Sequence, residues 1–124
     1  MIETENRGNA KMTIDDLKAY GANTTEGLTR CMNNESFYLR LVKMIPGDAN
    51  FQKLYDAIGS GDLDAAFEAA HALKGSTTNL ALTPVSAPVV EITELLRARA
   101  QTDYKTLIHQ IREARDELAR ICEE

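Results

Sequence analysis

Apolar residues recur along this chain three and four apart, and nowhere do they alternate with polar ones over the length of a strand. Spacing of that kind gathers side chains on one side of a helix and leaves a sheet no face to bury. No Asn-Gly or Asp-Gly turn separates two alternating runs. The periodicity therefore predicts an all-α chain.

The punctuation between the apolar runs predicts the elements. Thr13 precedes Ile14-Asp15-Asp16 and is placed to cap a short helix, with Asp16 near the positive end of its dipole. Gly21 should stop that helix, and a second short segment over about residues 25–32 carries Leu28, Cys31 and Met32. Asn34 is the expected cap of a longer helix bearing Phe37, Tyr38, Leu41, Val42 and Ile45. Pro46-Gly47 interrupts or bends the chain, and the pattern resumes with Phe51, Leu54, Tyr55 and Ile58 until Gly59-Ser60-Gly61. Asp62 is placed to cap the next helix, with Leu63, Ala66, Phe67, Ala70, Leu73, Thr77 and Leu80. Thr83-Pro84 reads as a cap followed by proline at the first helical position. The helix after it carries Val85, Val89, Ile92, Leu95 and Leu96. Pro88 lacks an N–H that the first complete turn would use, so that helix either starts late or has a distorted first turn. The last helix should begin near Asp103 and present Tyr104, Leu107, Ile108, Ile111, Leu118 and Ile121.

Four helices of substantial length joined by short loops favour an antiparallel up-down four-helix bundle, with one or two short extra N-terminal helices across it. The polar residues 1–11 are expected to be a flexible N-terminus, and 12–124 a single domain. Aromatics make up only 6% of the chain and tryptophan is absent, so the core must be mostly aliphatic. The formal net charge of −5 argues against nucleic acid as a partner, because duplex binding relies on Lys and Arg. The polar, acidic start does not resemble a signal peptide, and no apolar run approaches the roughly 18 residues that span a bilayer. The expectation is a cytoplasmic protein with no membrane contact. Cys31 and Cys122 fit no metal or redox spacing and read as buried or half-buried thiols. No metal site and no nucleotide-binding loop is expected.

One residue stands out from the stripes. At about 100° per residue, His71 falls about 120° from the centre of the apolar face of its helix. Asp64, Gly75, Thr78 and Leu82 are expected on the same outer stripe. Glycine inside a helix costs about 1 kcal/mol relative to alanine, so Gly75 asks for a reason. A missing side chain one turn from His71 would let another molecule approach the ring. The imidazole is nucleophilic near neutral pH, its ordinary pKa being about 6.5. Lys74, three residues on, is close enough to offset negative charge on that ring. His109, by contrast, points away from its own apolar stripe without such neighbours and reads as a solvated residue.

The segment Ala70-His71-Ala72-Leu73-Lys74-Gly75-Ser76-Thr77-Thr78-Asn79-Leu80 closely resembles the signature of histidine-containing phosphotransfer (HPt) domains. Gly61-Asp62-Leu63, Phe67 and Ala70 fit the start of the same helix in that family, and a weaker likeness in helix order extends over about residues 34–120. Two departures stand out: Ala81 follows the Asn-Leu pair where the family often has glycine, and Pro88 falls inside the segment expected to be the next helix. The resemblance implies that His71 accepts a phosphoryl group and that Lys74 stabilises it, with Asp64, Gly75, Thr78 and Leu82 on the partner-docking surface. It implies a monomeric carrier that relays phosphoryl between aspartates of response-regulator receiver domains, a hybrid sensor kinase being a further candidate partner. Such a carrier binds no cofactor, since Mg²⁺ is expected in the receiver, and it has no kinase activity towards ATP. The alternative is a non-catalytic helical adaptor that docks on a receiver or kinase without carrying phosphate.

Overall fold

The computed structural model describes residues 12–123, so the reading of residues 1–11 lies outside the described part. Among the described residues two short helices come first, α1 (Ile14–Tyr20) and α2 (Thr24–Arg30), followed by α3 (Glu35–Met44). Four longer ones complete the fold: α4 (Ala49–Ser60), α5 (Leu63–Asn79), α6 (Thr83–Arg97) and α7 (Lys105–Glu123). Among the described residues there is no strand, and no helix is long and apolar enough to cross a membrane.

The local signals work as the sequence suggests. Thr13 and Asp16 form a reciprocal capping box, and Gly21 ends α1 in the left-handed region at φ 112°. Asn34 and Asp62 accept from Phe37 N and Ala65 N and so cap α3 and α5. The chain breaks at Pro46-Gly47, Asp48 restarts it by capping α4, and Gly61 closes α4 at φ 78°.

α5 packs chiefly against α4 and α6, and α6 against α7. The ring closes where the Arg112 guanidinium of α7 lies 4.4 Å from the centre of the Tyr55 ring of α4. Successive helices run antiparallel around an aliphatic core that includes Leu54, Leu73, Val89, Ile92, Ile111 and Leu118, each fully buried. Helices α1 to α3 fasten the turn that follows α5. Tyr38 Oη donates to Leu80 O at 2.9 Å, and Asn23 N donates to Ala81 O at 2.9 Å. Arg30 Nη1 donates to Thr78 O at 2.5 Å and Asn79 O at 3.3 Å, which places a cation on the negative end of α5.

This turn also corrects two expectations. Leu82 is not on the outer stripe of His71 but fully buried. The helical period stops at Asn79, Ala81 turns the chain at φ 57°, and Leu82 swings into the core. Leu82, rather than Thr83, is then the N-cap of α6, with no side-chain cap bond. Burying a leucine contributes roughly 1.5–3 kcal/mol, which outweighs the loss of a polar cap worth about 1 kcal/mol. Of the two outcomes Pro88 allowed, a late start is not found, since α6 begins at Thr83. The Leu82 carbonyl accepts from both Val85 N (3.0 Å) and Ser86 N (2.8 Å), tightening the first turn, and the helix runs on through a buried Pro88.

Candidate functional site

His71 sits at the midpoint of the 17-residue α5 and is exposed. The residues that bury this helix are Ala66, Ala69, Ala70, Leu73 and Thr77, so the imidazole is carried on the opposite side by the geometry of the helix alone. Gly75 is also exposed, and a methyl group built there would meet nothing within 4 Å. The glycine is therefore not a packing contact between helices. Thr78, partly exposed, continues the stripe and turns its hydroxyl back onto Lys74 O at 2.6 Å. Asp64, two turns before His71, is exposed and paired with Arg99 at 2.6 Å. Of the residues expected around His71, only Leu82 is elsewhere.

Three further residues connect to this stripe, one of them directly to the ring. Phe67, one turn back on α5, stacks on His71 with ring centroids 5.6 Å apart and planes 27° from parallel. Arg97 of α6 places its Cζ 5.0 Å from the centre of the Phe67 ring. Glu94, one turn earlier on α6, accepts from Arg97 Nε and from Lys74 Nζ, both at 3.2 Å. Arg97 first, then Lys74, hold the Glu94 carboxyl below the usual carboxylate range. Lys74 is thus already engaged across the helix interface. Sequence spacing gave one signal that was open to use: Phe67 precedes His71 by four residues and must share its flank. Glu94 and Arg97 come from a different helix, and no local pattern places them.

On the other flank of the stripe, α3 borders α5. Phe37 and Met44 are large apolar side chains left 39% and 66% exposed, and Leu41 between them is half-buried. Leu41 and Met44 line a shallow groove with Ser76, Asn79 and Leu80 of α5. The other histidine, His109, is exposed on α7 beside Glu113 at 3.2 Å and far along the chain from these groups. Cys31 is buried and Cys122 half-buried, and burial pushes the Cys122 thiol up to about 11, away from reactive thiolate character.

An exposed histidine at the centre of a bundle helix, flanked by a lysine and an open glycine, agrees with a family-level comparison. The family model of the Hpt domain matches residues 47–122, which takes in all of α4, α5 and α6 and nearly all of α7. The chain belongs to the Hpt domain family. Searches of curated proteins and of solved structures returned no match. As an Hpt domain, the chain has a phosphotransfer role in two-component signalling, where Hpt domains interact with receiver domains.

Proposed function

We propose that His71 is the phosphoryl carrier, and that this Hpt domain passes the group between receiver-domain aspartates. The observation that carries the reading is the exposed imidazole beside a glycine whose missing side chain leaves open space. An unprotonated ring nitrogen attacks the phosphorus of a receiver's aspartyl phosphate. The N–P bond forms as the acyl O–P bond breaks, and the electron pair returns to the aspartate carboxylate. The ring is cationic until the proton on its other nitrogen leaves to water. Transfer onward is the reverse exchange on a second receiver. Phosphoryl transfer of this kind depends on positioning and charge stabilisation, and any Mg²⁺ it needs belongs to the receiver.

Within this reading Lys74 offsets charge on the phosphoryl oxygens, being one turn from the ring. Gly75, Thr78 and Asp64 form the surface a receiver approaches, and the Phe37–Met44 strip on α3 extends it with apolar area. The test is incubation of the purified chain with receiver domains charged by acetyl phosphate. Acid-labile label should appear on the wild type and on His109→Gln, and be absent from a folded His71→Gln variant. A wild-type chain that binds a charged receiver without acquiring label would favour the adaptor reading. Label that persists on His71→Gln would place the carrier elsewhere.

A further inference from the structure

We propose that Glu94 is a positioning residue that holds Lys74 while His71 is empty and yields it when the phosphoryl group arrives. The proposal rests on His71 being the carrier. Lys74, Glu94, Arg97, Phe67 and His71 form a closed circuit. Lys74 Nζ donates to Glu94 Oε2, Arg97 Nε donates to Glu94 Oε1, Arg97 covers the Phe67 ring, and Phe67 stacks on His71. Lys74 returns to His71 through the helix, three residues on.

Two features make the Lys74 pair exchangeable. Both Glu94 bonds are 3.2 Å long, beyond the roughly 2.7–2.9 Å of strong charge-assisted bonds, and the Glu94 side chain is 52% exposed. A phosphoryl group brings about two negative charges against one on the carboxylate, so the ammonium is drawn to it. Arg97 remains on Glu94, which keeps the released carboxylate from standing unpaired beside the new anion. The same carboxylate then limits how tightly the site holds phosphate. It does so by competing for Lys74. A loaded state kept modest in this way is one that can be handed on.

The experiment uses the full chain and phosphoramidate, a small donor whose own N–P bond breaks, releasing ammonia, as the N–P bond on the imidazole forms. The readout is the donor concentration that half-loads His71, followed by the ³¹P signal of phosphohistidine. Glu94→Gln keeps the shape and an accepting oxygen but removes the charge. It should lower the half-loading concentration by about two- to fivefold, as expected for losing one exposed competing charge. The gain should shrink in about 1 M salt, where screening falls to about 3 Å. It should vanish in Lys74→Ala/Glu94→Gln compared with Lys74→Ala alone. A merely structural role would predict the opposite, poorer loading on loss of the bond. Unchanged or weaker loading of Glu94→Gln, or an equal gain without Lys74, overturns the proposal. A wild type that never loads, or loading that survives in His71→Gln, overturns instead the reading of His71 on which it rests.

Discussion

Phe67 touches both His71 and Arg97, with the imidazole centroid 5.6 Å and the guanidinium carbon 5.0 Å from the ring centre. The phenyl ring is therefore a spacer that fixes a nucleophile and a cation relative to each other. His71 and Arg97 come from different helices, and Phe67 is the side chain that both touch.

Phe67→Leu preserves apolar bulk and removes the flat faces. The expected stability loss is about 1 kcal/mol, because Phe67 is only half-buried. Transfer from a charged receiver should slow severalfold, while the label stays on the same residue. Urea melts and transfer rates on one preparation check both. A wild-type rate would mean the stack does not position the imidazole.

Gly75 should gain stability on substitution. Nothing lies within 4 Å of an added Cβ, so Gly75→Ala keeps the full helical preference of about 1 kcal/mol. Gly75→Gln places a long side chain beside His71 and should slow transfer more than Gly75→Ala does. Thermal melts and receiver-transfer rates measure the two effects separately. If Gly75→Gln transfers as fast as wild type, receivers do not approach that flank.

Gly27 should respond in the opposite sense to the same change. A Cβ there would lie 2.5 Å from Tyr38 Cε1 and 2.6 Å from its hydroxyl. The ring cannot retreat freely, since Tyr38 is fully buried and its hydroxyl is bonded to Leu80 O. Overpacking costs typically about 1–3 kcal/mol, more than the helical gain of about 1 kcal/mol. Gly27→Ala should lower the urea midpoint and loosen the turn after α5, seen as faster amide exchange at Ala81 and Leu82. A midpoint at or above wild type would show that the clamp yields.

What the sequence made legible is what neighbours along the chain decide. The Thr13, Asn34 and Asp62 caps, the stops at Gly21 and Gly61 and the outward turn of His71 all follow from spacing and backbone chemistry within one element. Leu82 was misplaced because extending the α5 period past Asn79 ignores the left-handed turn at Ala81 and the pull of the core. The Lys74–Glu94 pair is not legible in the sequence because Glu94 lies 20 residues on, across a helix interface that periodicity does not align. The same interface brings Arg97 to Phe67.

Alkaline pH should probe the Tyr38 clamp directly. Burial first, and then the neighbouring Cys31 thiol, push the Tyr38 phenol from 10.0 up to about 12. Tyr20, half-buried with its hydroxyl on Ala114 O, is raised in the same direction, chiefly by burial. A raised phenol pKa means the fold holds the proton more tightly than the unfolded chain. The stability this contributes is complete below about pH 10 and is lost as pH rises towards about 12. Urea midpoints should therefore fall steeply over that window. Tyr38→Phe should be less stable than wild type near pH 8, having lost the bond to Leu80 O, yet show a shallower fall above about pH 10. Some slope should remain, because Tyr20 still titrates. Identical alkaline slopes in the two proteins would mean that the Tyr38 hydroxyl is not held as a neutral donor at the end of α5.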